Sequence, residues 1–148
     1  MLQRCERCGF TFYNNPITAT EAFIVQDGKL LMVRRDNQPR KGYLDVPGGF
    51  MDGFEHPRAG IIREVKEELD CAFTPRALIG AYNDCYRWNN RRYAVVILSY
   101  FGTIRGTVSS NHEIAALEWV PLNAIPSHLA FAHMHHSIGD LKRYLRKK

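Results

Sequence analysis

Apolar positions recur along this chain in two periods, and the places where the period changes mark its elements. From Thr18 to Gln26 an alternating pattern runs into a continuous apolar stretch. Asp27-Gly28 supplies a turn, and Lys29 to Arg35 resumes the pattern, which predicts a β-hairpin. Asp36 to Lys41 is polar and contains Pro39, a loop placed to border a substrate pocket. Tyr43 to Pro47 is a short segment leading into Gly48-Gly49. A helical period follows. Pro57 suits a first helical position, where its missing N–H costs nothing, and Ala59, Ile62, Val65 and Leu69 form an apolar stripe facing a core. Arg76 to Tyr86 and Arg91 to Gly102 read as strands joined around Asn89-Asn90. Within the second, Ala94-Val95-Val96-Ile97-Leu98 is the run expected of a central strand buried on both faces. Glu113 to Val120 predicts another strand. Ser137 to Arg146 predicts a closing helix with Ile138, Leu141 and Leu145 on its apolar side. Strands alternate with helices, an α/β pattern.

Composition narrows this to one domain. With 148 residues and 45% hydrophobic content, the chain can bury one proper core but hardly two. No apolar run reaches the roughly 18 residues that span a bilayer, so no membrane partner is expected. The N-terminus lacks a basic region followed by a long apolar run, so no signal peptide is expected. Cys5, Cys8, Cys71 and Cys85 are too few for a disulfide framework, which points to a reducing cytoplasm. Much of the net charge of +5 is concentrated at the ends, with Lys142, Arg143, Arg146, Lys147 and Lys148 closing the chain. These read as the solvated face of the last helix. No aromatic interleaving or RNA-binding motif accompanies them, so nucleic acid is not the expected partner.

The chemistry is concentrated in residues 49–71, GFMDGFEHPRAGIIREVKEELDC. Glu64 and Glu68 are i,i+4 neighbours on the predicted helix and Glu67 is i+3 from Glu64, so their carboxylates share one side. Arg63 lies four residues before Glu67 and is placed to orient it. Packed like carboxylates repel, and hard divalent cations with oxygen ligands relieve that repulsion. The bland alternative is a solvated acidic helix face. Gly49 and Glu55 at fixed positions upstream weigh against it. Gly49, Glu55, Arg63, Glu64, Glu67 and Glu68 match G-x5-E-x7-R-E-U-x-E-E-x-G-U, where U is aliphatic, and Val65 fills the first aliphatic slot. The chain therefore resembles the Nudix hydrolases.

That resemblance covers nearly the whole chain and implies an α/β fold, a mixed β-sheet sandwiched between α-helices, over residues 17–148. Tyr43 to Phe50 is similar to the W-x-x-P-G-G-x segment that precedes the box in many members. By resemblance, the metal ligands are the carbonyl of Gly48 and the carboxylates of Glu64, Glu67 and Glu68, holding Mg²⁺ or Mn²⁺. Glu113, before Trp119-Val120-Pro121, matches a downstream acidic residue that serves in different members as metal ligand or as base. Glu67, Glu68 and Glu113 all stay open as the base. Glu55 and Arg63 would hold the loop and helix in place. Arg34, Arg35, Tyr82 and Tyr86 are the candidate substrate contacts, the tyrosines with sheet packing as their plainer role. The box departs from pattern at Asp70, where the family has Gly, and at Cys71, which reads as a small buried hydrophobe.

The implied reaction is hydrolysis of a nucleoside diphosphate linked to a second group. Residues 1–16 are similar to half of the zinc ribbon that precedes the Nudix domain of NADH pyrophosphatases, with Cys5 and Cys8 as the possible zinc ligands. A second Cys-x-x-Cys pair is absent from the sequence. The segment is then a vestigial turn, a site completed by another chain, or one completed by His133, His135 or His136, which fit better as surface or core histidines. This half-ribbon favours ADP-ribose or a related nucleotide sugar or dinucleotide. Against NADH, the S-Q-P-W-P-F-P-x-S segment is absent, and Tyr86-Arg87 stands where ADP-ribose-cleaving members often have a proline. Two other readings remain: a nucleotide sensor that does not hydrolyse, and a pyrophosphohydrolase of RNA 5′ ends. The oligomeric state, homodimer included, is not legible.

Overall fold

The hairpin that opens the alternating pattern is the centre of the sheet. A computed structural model describes residues 2–111 and 113–148, so residue 1 of the expected N-terminal segment lies outside it, as does residue 112. The strands are β1 (Leu2–Arg4), β2 (Thr11–Tyr13), β3 (Ile17–Gln26), β4 (Lys29–Arg35), β5 (Leu44–Asp45), β6 (Gly48–Phe50), β7 (Ala72–Trp88), β8 (Arg91–Arg105) and β9 (Ile114–Pro121). The helices are α1 (Pro57–Leu69) and α2 (Met134–Arg146). β1 and β2 pair only with each other. The main sheet runs β5-β4-β3-β8-β7, with β6 added to β3 and β9 to β4. β3 and β8 are parallel, Ile17 opposite Val95 through Ile24 opposite Gly102, and the other pairings are antiparallel, which makes the sheet mixed.

Alternation along β3 and β4 divides the core. Ala22, Ile24, Leu31 and Val33 point to one face and pack with Ile61, Val65 and Leu69 of α1. Phe23, Leu30 and Met32 point to the other and pack with Met134, Ile138 and Leu141 of α2. The sheet is thus covered by one helix on each face, as expected. Cys71 is buried in the α1 layer, as its reading as a small hydrophobe requires. No helix among the described residues is long and apolar enough to cross a membrane.

Three details correct the sequence pattern. The buried stripe of α1 is Ile61, Val65 and Leu69, spaced four apart, while Ala59 is exposed and Ile62 is 41% exposed. Ile62 satisfies the period equally well, and the docking of α1 on β3 and β4 selects Ile61. The run 94–98 is central in pairing but not buried on both faces. Val95 and Ile97 are buried, Ala94 is exposed, and Val96 and Leu98 are half-buried. Its buried side chains, Val95 and Ile97, are the ones that line a cavity. The last helix starts at Met134, earlier than Ser137, because Met134 itself packs in the core. Turn chemistry follows expectation: Asp27, Gly28, Asn89 and Asn90 all take positive φ.

Candidate active site

The α1 helix begins where Pro57 predicts, with the His56 ring nitrogen accepting from the Arg58 amide. Its end carries the departure from pattern. Asp70 takes the left-handed cap conformation, φ 51° and ψ 28°, and pairs with Lys66. That cation offsets a carboxylate poorly placed at the negative end of the helix dipole and holds its pKa below the ordinary value.

Arg63 is the hub of the site. Its Nε and Nη2 donate to the two oxygens of Glu55, each at 3.0 Å. Nη1 donates to Glu64 at 2.8 Å and Glu67 at 3.0 Å, and Nη2 also reaches the Phe50 carbonyl at 3.2 Å. Glu55 in turn accepts from the Asp52 amide. One planar guanidinium thereby ties the loop after β6 to the helix, a geometry that lysine cannot reproduce. These hydrogen bonds raise the Arg63 pKa and lower that of Glu55.

The two glycines before the loop are dictated by contact. Gly48 has φ 151°, and a Cβ there would collide with the Thr20 carbonyl oxygen. A Cβ on Gly49 would sit 2.6 Å from the Glu64 carboxylate. The Gly48 amide donates to Glu68 Oε2 at 2.9 Å. Burial first, then the charges of Asp45, Glu64 and Glu113, push the Glu68 pKa up to about 8, against the pull of that amide. Burial also raises Glu64, with Arg63 opposing it.

Glu68, Gly48, Gly49 and Glu113 open onto a cavity of about 280 Å³. The other carboxylates lining it are Glu21, Asp45 and Asp84, and the cations lining it are Arg35 and His133. An adjoining hollow of about 190 Å³ shares Asp45, Glu68 and Glu113 and is bordered by Asn37 and Gln38 of the polar loop. Even with Glu68 protonated, the four other acids outnumber the two cations, a wall hostile to a diphosphate unless cations accompany it. Among the described residues, no three His, Cys, Asp or Glu side chains converge as a finished metal cage. Arg63 draws Glu64 and Glu67 to itself, and Glu68 turns to the Gly48 amide. The donor set still suits Mg²⁺. That ion binds few protein carboxylates and completes its shell with water and substrate phosphates. Glu64, Glu67, Glu68 and the Gly48 carbonyl are the residues that would hold it.

The structure separates the remaining candidates. Arg35 and Tyr86 line the cavity. Arg34 does not: it pairs with Glu118 and donates to the Gly42 carbonyl at 2.7 Å. Tyr82 donates to Asp140 at 2.7 Å. Cys5 and Cys8 are exposed, and no histidine or acid joins them among the described residues. His133 is buried and engaged elsewhere, while His135 and His136 are exposed.

Several site residues escaped the sequence reading. His133 lies between two carboxylates, Nδ1 2.9 Å from Asp84 and Nε2 3.0 Å from Glu21. Burial alone would lower its pKa, but the two partners prevail and hold it at about 9. Ser99 donates to the other Glu21 oxygen. Asp45, whose pKa is raised by burial, accepts from Arg35 at 2.9 Å. The available signal was an acid inside an apolar strand: Glu21 interrupts a run that otherwise reads as core.

Residues 16–139 match the sequence profile of the NUDIX domain. Over 139 residues the chain is 31% identical to an ADP-ribose pyrophosphatase of Methanocaldococcus jannaschii, covering 94% of this chain and 79% of that protein. Among solved structures it is similar to a MutT NUDIX hydrolase of Burkholderia pseudomallei, with a TM-score of 0.75, 25% identity, and 86% and 98% of the two chains covered. A NUDIX hydrolase of Nitrosomonas europaea shares the fold, with a TM-score of 0.75, 22% identity, and 100% and 86% covered.

Proposed function

The chain belongs to the NUDIX family of hydrolases, and we propose that this pyrophosphatase acts, with Mg²⁺ or Mn²⁺, on the diphosphate of ADP-ribose or a related nucleotide sugar or dinucleotide. One observation carries the reading. Glu68 opens onto a cavity whose acid excess calls for divalent cations, and beside it Arg63 braces Glu55, Glu64 and Glu67 of the same box, with Gly48 and Gly49 packed against Thr20 and Glu64. The likeness to the Methanocaldococcus ADP-ribose pyrophosphatase over most of both chains supports the choice of substrate.

When bound, the cations supply charge neutralisation at the pyrophosphate oxygens and lower the pKa of the attacking water. The chain's own residues do the rest. Glu55 and Arg63 fix the approach of the loop to α1, so that the Gly48 carbonyl and the box carboxylates keep one arrangement. Glu67, Glu68 and Glu113 all stay open as the base: Glu68 and Glu113 line the cavity at the glutamate end, and Glu67 is held by Arg63. The basic C-terminus does not present free charge for RNA throughout, since Arg143 pairs with Asp140 and Lys148 lies over the Tyr144 ring.

The test is release of nucleoside monophosphate or phosphate with Mg²⁺ from ADP-ribose, NADH, diadenosine polyphosphates, nucleoside triphosphates and capped RNA. Selective turnover of the first group, lost in Glu67→Gln and Glu68→Gln, supports the proposal. Binding of ADP-ribose without turnover makes the chain a sensor, and preference for capped RNA replaces the small substrate by an RNA end.

A further inference from the structure

The β7–β8 hairpin outruns the sheet. β3 begins opposite Val95, so from Cys85 to Ala94 the two strands pair only with each other, up to the left-handed turn at Asn89-Asn90. This arm carries Arg87, Arg91 and Arg92, all exposed, and no acid. Arg92 donates to the Cys85 sulfur at 3.5 Å, and among the described residues no carboxylate pairs with any of the three. Trp88, 43% exposed, stands opposite Arg91 on one face, while Arg87 and Arg92 share the other.

The β1–β2 ribbon lies toward the same end of the sheet. β3 and β8 run parallel, so the chain before Ile17 leads to the side where the arm leaves. Tyr13 precedes Ile17 by four residues, a span of at most about 14 Å. The ribbon adds exposed Arg4 and Arg7, and the rings of Phe10, Phe12 and Tyr13, each more than half exposed. Glu6 is the one acid in either segment. Two-stranded ribbons are marginal in water unless they bury an apolar face. These two instead expose rings among charges of nearly one sign. Solubility alone is served by mixed charges and needs no indole.

We propose that the arm and the ribbon together form a binding surface for single-stranded nucleic acid. The arginines take the phosphates, and Trp88 with the ribbon rings stacks on unpaired bases. Arginine interleaved with exposed aromatic rings suits a single strand better than a duplex, whose bases already stack on one another. The aromatic interleaving that the C-terminal basic cluster lacks is present here. None of these residues lines the cavity, so the surface is independent of the reaction assigned above.

The experiment is fluorescence anisotropy of labelled oligouridylate and oligothymidylate of about twelve nucleotides, and of a duplex of equal length. Each is titrated with the full chain in EDTA across a salt series. The single strands should bind with log affinity falling against log salt at a slope of about −2 or steeper, as three or more neutralised phosphates require. The duplex should bind about tenfold more weakly. Binding of either single strand supports the proposal, and the tighter one identifies the sugar. Trp88→Ala should weaken binding by about 10- to 100-fold, while Trp88→Phe keeps most of it. Arg87→Ala, Arg91→Ala and Arg92→Ala combined should flatten the slope by about 2. These positions are exposed, so melting temperatures should match wild type. A Kd weaker than about 100 µM for both strands at low salt overturns the proposal, as does binding that survives loss of Trp88 and the three arginines. Capture by phosphatidylserine vesicles without oligonucleotide binding overturns it in favour of a lipid surface. A dimer that Trp88→Ala dissociates, again without oligonucleotide binding, overturns it in favour of a second copy of the chain.

Discussion

Replacing His133 by Gln tests whether the buried bridge between β3, β7 and the start of α2 is ionic. In the folded protein the imidazole holds its proton up to about pH 9, against an ordinary 6.5, because Glu21 and Asp84 flank both ring nitrogens. The folded state therefore binds more protons than the unfolded chain between those values, and stability must fall as pH rises through the window. The contribution is fully present below the unfolded pKa and gone above the folded one. Each pH unit separating the folded and unfolded values is worth about 1.4 kcal/mol, so the bridge contributes about 3 kcal/mol at the acid end. Side-chain exposure of 6% leaves little solvent to screen it.

Urea denaturation at about pH 6 and about pH 9.5 reads this directly. For m of about 1 to 3 kcal/mol per molar, the wild-type midpoint drops by about 1 to 3 M across the window. Glu68 adds a slope of the same sign at lower pH, since burial lifts its pKa to about 8 and the folded state keeps that proton too. His133→Gln retains the Glu68 slope, so the difference between the two proteins isolates the imidazole. That difference should shrink by about 3 kcal/mol from the acid to the alkaline end. A difference that stays constant, or grows with pH, refutes an ionic bridge.

Four further substitutions divide stability from activity. Gly48→Ala drives a Cβ into the Thr20 carbonyl, backbone against backbone, and should lower stability by about 3 kcal/mol or prevent folding, read by thermal melting. Gly49→Ala instead meets the end of the Glu64 side chain, so its Tm should stay near wild type while Mg²⁺-dependent turnover falls by about tenfold or more; a large Tm loss with normal turnover reverses the assignment. Arg63→Lys forfeits the paired contact to Glu55 and the bridge to Glu64 and Glu67, and should reduce kcat by about 100-fold with little change in Tm; retained turnover removes Arg63 as the organiser of the site. Asp70→Gly relieves a left-handed aspartate at the loss of an exposed pair with Lys66, and should raise stability, seen as a higher Tm.

Local rules made most strands of the main sheet, the start of α1 and the glutamate box legible, because each depends on neighbours a few residues away. Asp27-Gly28 and Asn89-Asn90 announced their turns through the conformations those residues tolerate, and Pro57 announced α1. What was not legible depends on pairings made over long distances. Ala59 and Ile62 fit a helical stripe as well as Ile61 does, and only the docking angle of α1 on β3 and β4 decides between them. Arg34 and Arg35 look equivalent in sequence, yet strand alternation sends one to Glu118 and the other to Asp45 and the cavity. His133 meets partners 112 and 49 positions away, which no spacing rule connects.

The parts that spacing could not reach lie outside the box. The box fixes a reaction through one helix and one loop, which a local pattern can encode. The Glu21–His133–Asp84 bridge and the Tyr86–Phe131 pair join β3, β7 and the segment before α2, elements whose residues lie outside the box. Side chains there can change without disturbing Arg63, whose hydrogen bonds run to Glu55, Glu64, Glu67 and the Phe50 carbonyl. Substrate choice in such an architecture varies independently of the chemistry. A chain with a complete box therefore declares its reaction more readily than its substrate.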